Sequence, residues 1–201
     1  MRTYEYDARG AVVATVDPQG GRTVAEHDER GRPVAVTDPT GATSRTAWTP
    51  GDRVASSTDA SGATTTFGYD AAGRDVTTTD ALGAATSYVW TGGLLTSTVD
   101  ATGAAEERTY DAAGRLATLT DRSGGTTVYG YDALGRATSV VDATGRTEQR
   151  AYDALGRLTA RTHGADATVA FTYDANGART SMTDARGTTT YESDGAGTSR
   201  R

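Results

Sequence analysis

The chain has 201 residues, of which 36% are hydrophobic and 7% aromatic, with two Phe, two Trp, two Met and no Cys. Much of the apolar material is Ala and Val, too little bulk for a single thick core, and without Cys there is neither a disulfide framework nor a thiolate metal site. The net charge of −6 and the absence of Lys exclude the basic patch of a nucleic-acid or acidic-membrane binder, and no apolar run approaches the ~20 residues of a membrane span.

Thr, Val and Tyr are frequent while Pro is scarce, which sets the chain apart from disordered polymers. The N-terminus, Met1-Arg2-Thr3-Tyr4-Glu5-Tyr6-Asp7, enters a repeating unit at once, and no signal peptide is read from it. From there a Tyr-Asp pair followed by Gly recurs about every 21 residues. The Tyr slots are Tyr6, His27, Trp48, Tyr69, Trp90, Tyr110, Tyr131, Tyr152, Tyr173 and Ser193. The steps are 21 residues, except for the two that end at Tyr110 and Ser193, which are 20. Residues 1–201 are therefore expected to be a single array of nine repeats and a partial tenth, the last beginning at Ser193-Asp194 and reaching Gly197.

Each repeat carries a second D-x-x-G tetrad. It runs through Asp17–Gly20, Asp38–Gly41, Asp59–Gly62, Asp80–Gly83, Asp100–Gly103, Asp121–Gly124, Asp142–Gly145 and Asp184–Gly187; the eighth repeat has His163 and Asp166 in those places. Asp opening a type I turn accepts hydrogen bonds from backbone N–H groups just ahead. Pro18 and Pro39 fit the second position, where φ near −65° is wanted. The fourth residue needs positive φ, which Gly adopts without a Cβ clash. Such a turn closes the three-residue hairpin with a bulge. Asp52 and Asp166 stand in for Gly in two turns, a place Asp tolerates better than most residues.

Between the turns lie segments of about seven residues, rich in Thr, Val and Tyr, such as Thr127-Val128-Tyr129-Gly130-Tyr131. Their period-two alternation predicts half-buried strands, two per repeat, and helical periodicity is nowhere visible. The turns fix the pairing. Asp70 faces Arg74, Asp111 faces Arg115, Asp132 faces Arg136 and Asp153 faces Arg157, as exposed ion pairs of little energetic weight. One rung further Tyr110 meets Leu116 and Tyr152 meets Leu158, cross-strand pairs worth about 0.2–1 kcal/mol. Tyr4, Phe67, Tyr88, Tyr129, Phe171 and Tyr191, two residues before the Tyr slots, extend a stripe of rings on one face. The other face is mostly Thr, Ser, Ala and Gly. The expected fold is all-β: repetitive antiparallel hairpins with about eighteen strands in one long sheet, which twist forces to curl.

No constellation of catalytic type accompanies this pattern. His27 and His163 read as substitutions within structural slots, and no serine partners a histidine. EF-hand spacing and the nine-residue Gly-Asp calcium repeat are missing, and there is no phosphate loop. The acids are spread by the repeat, not paired as in glycosidases. Catalytic, cofactor-binding and metal-ligating residues are therefore assigned as none, and no cofactor is expected. Trp48 and Trp90 read as larger rings filling Tyr slots, the alternative being exposed rings that stack on sugars or peptides.

The Y-D-x-x-G-R core of Tyr69–Arg74, Tyr110–Arg115, Tyr131–Arg136 and Tyr152–Arg157 resembles the RHS or YD-repeat family, over Tyr4 to about Gly197. The resemblance implies a continuous β-sheet coiled into a hollow shell. Such shells belong to large secreted or cell-surface bacterial polypeptides, among them toxin complexes and competition effectors, and to related animal adhesion proteins of the teneurin kind. In the bacterial cases the shell encloses a variable C-terminal toxin domain. The family's D-P-x-G-x-x-D-G-x-N self-cleavage motif has no match; Asp17-Pro18 and Asp38-Pro39 share its first letters but occupy repeat turns. The expectation is a fragment of a longer array, or a truncated gene copy, acting as a non-catalytic wall. Its partners would be an encapsulated C-terminal polypeptide or adjoining repeats. The alternative is a surface adhesion module for glycan or protein.

Overall fold

The structure, a computed structural model, describes residues 1–193 and 199–200. Asp194–Gly197 of the partial tenth repeat lie outside the described residues. Regular structure is entirely β among the described residues. Nineteen strands belong to one antiparallel sheet. They are β1 (Thr3–Tyr6), β2 (Val12–Val16), β3 (Arg22–His27), β4 (Pro33–Thr37), β5 (Thr43–Trp48), β6 (Val54–Thr58), β7 (Thr64–Tyr69), β8 (Asp75–Thr79), β9 (Ala85–Thr91) and β10 (Leu94–Val99). They continue with β11 (Ala105–Tyr110), β12 (Leu116–Thr120), β13 (Thr126–Tyr131), β14 (Ala137–Val141), β15 (Thr147–Tyr152), β16 (Leu158–His163), β17 (Val169–Tyr173), β18 (Arg179–Asp184) and β19 (Gly187–Thr190). Two-residue strands β20 (Glu192–Ser193) and β21 (Ser199–Arg200) form a separate pair. The count exceeds the expected eighteen because β1 precedes the first turn, while the nine repeats supply β2 to β19. Among the described residues no helix is long and apolar enough to cross a membrane.

The chain divides into two compact units, Met1–Val89 with Thr98–Gly103, and Trp90–Ser97 with Ala104–Arg201. In the first, β1 to β8 pair antiparallel in chain order, and Thr77–Thr79 pair with Ala85–Ser87. In the second, β11 to β19 do the same. Short connections make chain neighbours into sheet neighbours, as hairpin geometry requires.

The turns follow from the Asp and Gly side chains. In Asp132–Arg136 the Asp Oδ1 accepts from the Leu134 and Arg136 N–H groups, both at 2.9 Å. The Gly135 N–H donates to the Asp132 carbonyl at 3.0 Å, and the Asp132 N–H donates to the Arg136 carbonyl at 3.0 Å. Gly135 takes φ +82°, and Asp52, in a Gly slot, takes φ +62°. In that turn Thr49 replaces Asp, its hydroxyl accepting from the Arg53 N–H at 3.1 Å. In the second tetrads a hydroxyl joins in: Thr40, Ser61, Thr102, Ser123 and Thr144 each donate to the Asp two residues back, at 2.5–2.6 Å.

Two turns depart from expectation. In the eighth repeat the left-handed residue is Gly164 (φ +52°), not Asp166, and the Asp166 N–H closes the turn on the His163 carbonyl at 2.8 Å. Gly at the first central place relieves the following residues of positive φ, so Asp166 carries no strain. In the last tetrad Asp184 pairs directly with Gly187, leaving a two-residue turn without a bulge, which accounts for that repeat's missing residue. The short repeat at Trp90 uses Gly92 (φ +58°) and Gly93 (φ +86°), the two consecutive left-handed residues of a tight two-residue hairpin.

A second irregularity recurs beside the Tyr slot. Tyr131 pairs with Ala137 while Gly130 pairs with Ser139, so Thr138 is unpaired. The same slip leaves Val76 unpaired beside Tyr69, Ala117 beside Tyr110 and Thr159 beside Tyr152. Each is a β-bulge, which bends its strand and increases local twist. The slip also brings the Ser139 and Thr77 side chains against Gly130 and Gly68, where an added Cβ would lie 2.2 Å and 2.4 Å from their hydroxyl oxygens. Other repeats carry side chains at the equivalent place, Thr109 opposite Thr118 and Thr172 opposite Ser181, with hydroxyls that pair across the strands.

Burial is shallow, as a single layer must be. Among the described residues Ala14 and Ala35 are the fully buried hydrophobic ones, at 1% and 3% exposure. The small-residue face is held by cross-strand hydroxyl pairs, including Thr37–Thr43 at 2.8 Å, Thr58–Thr64 at 2.8 Å and Thr120–Thr126 at 3.0 Å. Stability in such a sheet comes from ladders and side-chain pairs more than from a core.

Candidate functional site

The feature built most often is the junction between one repeat and the next. It starts in the turn, where the Asp carboxylate has one oxygen on backbone N–H groups and the other free for the Arg that closes the turn. Arg115 Nε donates to Asp111 Oδ2 at 2.7 Å, Arg136 to Asp132 at 2.6 Å and Arg157 to Asp153 at 2.7 Å. These side chains are about a quarter to a third exposed, more sheltered than the exposed pairs expected from sequence. Their shelter comes from the following repeat. Arg115 Nη1 donates to the Asp132 carbonyl at 3.0 Å, Arg136 to Asp153 at 2.8 Å and Arg157 to Asp174 at 2.8 Å.

The same guanidinium lies over the next Tyr ring. Arg115, Arg136 and Arg157 sit 4.7, 4.9 and 4.8 Å from the centroids of Tyr131, Tyr152 and Tyr173. Each ring hydroxyl then donates back across the junction: Tyr131 to the Leu116 carbonyl at 2.9 Å, Tyr152 to Ala137 at 2.9 Å and Tyr173 to Leu158 at 2.8 Å. Tyr69 to Val54 and Tyr110 to Leu95, both at 2.8 Å, complete the series. Asp, Arg and Tyr thus form a ladder along the turns, a cation–π contact and three hydrogen bonds per rung.

The Asp carboxyls register this environment. The Arg136 N–H holds the Asp132 carboxyl below its ordinary value of 3.8, against a smaller upward effect of burial, with the Arg136 guanidinium adding to the lowering. Asp111 and Asp153 are lowered for the same reasons. Asp38, Asp59, Asp121 and Asp142 are lowered first by their Thr or Ser hydroxyls.

Trp48 occupies its slot as a Tyr would. Its Nε1 donates to the Pro33 carbonyl at 2.8 Å, and Arg32 lies 5.4 Å from the ring centroid. Trp90 is half-buried. His163 belongs to the second unit and lies opposite Glu148 in the β15–β16 ladder, Nε2 to Oε2 at 2.6 Å. Arg150 also bonds Glu148. Burial works upward on the Glu148 carboxyl, but Arg150 and His163 outweigh it and its pKa is lowered. His27 belongs to the first unit and pairs with Pro33, with Nδ1 buried and unpartnered. Among the described residues no group of three His, Cys, Asp or Glu side chains converges to hold a metal ion.

An antiparallel hairpin array with Asp-Arg-Tyr rungs is a structural repeat sheet. A family model, described as RHS Repeat, matches residues 6–44, 48–85, 110–147 and 152–189. The chain belongs to the RHS repeat family. No curated protein matches the sequence. Among solved structures, the crystal structure of TcdB2-TccC3-Cdc42 is similar at a TM-score of 0.55 and 16% identity, covering 98% of this chain and 14% of the other. That of TcdB2-TccC3 gives a TM-score of 0.58 at 16% identity over 91% of this chain and 13% of the other. The Tc holotoxin pore of Photorhabdus luminescens gives 0.53 at 16% identity over 98% and 15%. At this identity the likeness is one of fold, and the chain spans about one-seventh of the length of the chains it matches.

Proposed function

We propose that this chain is a non-catalytic wall segment of an RHS-type shell, which encloses or presents a C-terminal polypeptide, such as a toxin domain, of a larger secreted or surface protein. Residues 1–201 act in this reading as one array, and its partners are adjoining repeats and the enclosed segment. The observation that carries the reading is the rung itself. The Asp, Arg and Tyr side chains of the repeat motif are committed to joining consecutive repeats, as Arg115 is to Asp111, Asp132 and Tyr131. A polar surface spent on its own continuity makes a barrier. The similarity of fold to structures of TcdB2-TccC3 supports the reading. Adhesion through exposed Trp rings is less well supported, because Trp48 is bonded to Pro33 and capped by Arg32.

Limited proteolysis of the full-length polypeptide that carries the array tests the proposal. Cleavage of the segment C-terminal to the array should be slow in the intact protein and fast once that segment is produced alone. Equal rates would refute containment.

A further inference from the structure

The rung is a receptor for a guanidinium group, and the first repeat holds that receptor without its ligand. In three successive junctions one carboxylate oxygen, one backbone carbonyl and one aromatic face enclose an Arg of the same chain. For Arg136 the distances are 2.6 Å to Asp132 Oδ2, 2.8 Å to the Asp153 carbonyl and 4.9 Å to the Tyr152 centroid. In the first repeat the residue closing the turn is Ala11. Asp7 keeps its turn role, Oδ1 accepting from the Arg9 N–H at 2.9 Å and the Ala11 N–H at 2.8 Å. Its Oδ2, the atom that elsewhere takes the Arg Nε, has no hydrogen-bond donor. The next aromatic place is His27, with a buried Nδ1 that has no hydrogen-bond partner. The Asp28 carbonyl, equivalent to that of Asp153, receives the Gly31 N–H at 3.0 Å and retains a lone pair.

The space is open. Asp7, Ala11, His27 and Asp28 line a recess of about 870 Å³. Arg9 and Arg30 also line the recess, but their guanidinium groups are held by other acceptors: Arg9 Nη1 donates to the Glu29 carbonyl at 2.9 Å, and Arg30 Nη1 to the Pro50 carbonyl at 2.9 Å and Asp52 at 3.0 Å.

We propose that the recess between Asp7 and His27 binds the guanidinium of an arginine side chain presented by another polypeptide. A planar fork serves a carboxylate oxygen and a carbonyl at once while its face stacks on the imidazole. An ammonium group is a point donor that cannot do all three.

The test is NMR titration of the intact chain at pH 8, following the His27 ring resonances. N-acetyl-argininamide should shift them saturably in the millimolar range, and N-acetyl-lysinamide should not. Asp7→Asn keeps the Oδ1 acceptor of the turn but loses the charge, and should weaken binding about tenfold. Ala11→Arg should fill the recess from within and abolish the response. An absent or non-saturable response, an equal response to the lysine probe, or full binding by a folded Ala11→Arg variant would overturn the proposal. If Ala11→Arg fails to fold, Asp7→Asn decides, with unchanged affinity counting against the site.

Discussion

The guanidinium of Arg115 lies 4.7 Å from the ring centroid of Tyr131, and the Tyr131 hydroxyl donates at 2.9 Å to the carbonyl of Leu116, the residue next to Arg115. One residue pair thus ties two repeats twice, once through charge and ring and once through the backbone. Tyr131→Phe keeps the ring and removes only the hydroxyl. It should cost about 0.5–1.5 kcal/mol in urea denaturation, the range for a lost hydrogen bond whose acceptor is part-buried. Arg115→Met should cost more than the ~0.5–1 kcal/mol of the cation–π contact alone, because the hydrogen bonds to Asp111 and to the Asp132 carbonyl go with it. The double variant should fall short of the sum, because the two contacts share one junction. Wild-type stability in Tyr131→Phe would mean that the hydroxyl bond carries nothing.

The left-handed turn residue gives a graded series. Gly135 sits at φ +82°. Gly135→Val forces a β-branched residue into that region and should cost about 1–3 kcal/mol. Gly135→Asn should cost clearly less, since Asn visits positive φ more readily. Melting curves that fail to separate Val from Asn would refute the assigned turn.

Acid should loosen the array through its turns. The folded-state carboxyls of Asp111, Asp132 and Asp153 lie below the ordinary value of 3.8, so the unfolded chain binds protons more readily and stability rises with pH across that window. The stabilisation is complete well above 3.8 and is lost as pH falls through the lowered folded-state values. Thermal midpoints should be flat from pH 7 to about 5 and drop steeply below 4. Asp132→Asn, lower in stability at neutral pH, should show a shallower acid drop. A midpoint insensitive to pH down to 3 would contradict the turn assignment.

The isolated chain should self-associate. Strand β1 is exposed at every residue, with Tyr4 and Tyr6 at 50% and 60% exposure, and such a strand offers free backbone and rings to another sheet. Sedimentation velocity should show mass increasing with concentration, and Tyr4→Lys should reduce it. A compact monomer at all concentrations would contradict this.

The turns, the strand pairing and the Asp–Arg contacts are legible in the sequence because each rests on residues close together in the chain. Tyr110 meets Leu116 as the turn geometry dictates. The bulge beside each Tyr slot is not legible, since the unpaired residue is Val76, Ala117 or Thr138 and no chemistry marks it. Nor is the stacking of Arg115 on Tyr131. The two belong to different repeats and meet only because an intervening hairpin folds back, so the signal would have been the joint recurrence of Arg after one turn and an aromatic before the next. At His163 the nearest Gly moves the left-handed residue to Gly164, and reading the tetrad by position alone misplaces it on Asp166.

The central claim is that Arg–Tyr rungs weld consecutive repeats into one continuous wall. Amide hydrogen exchange on the chain carrying Arg115→Ala and Tyr131→Phe together tests it most directly. The account predicts faster exchange in both β12 and β13, the strands on either side of that junction, while Arg186→Ala, at an exposed place in the distant turn between β18 and β19, leaves them unchanged. Exchange in β12 and β13 that matches the wild type would contradict it.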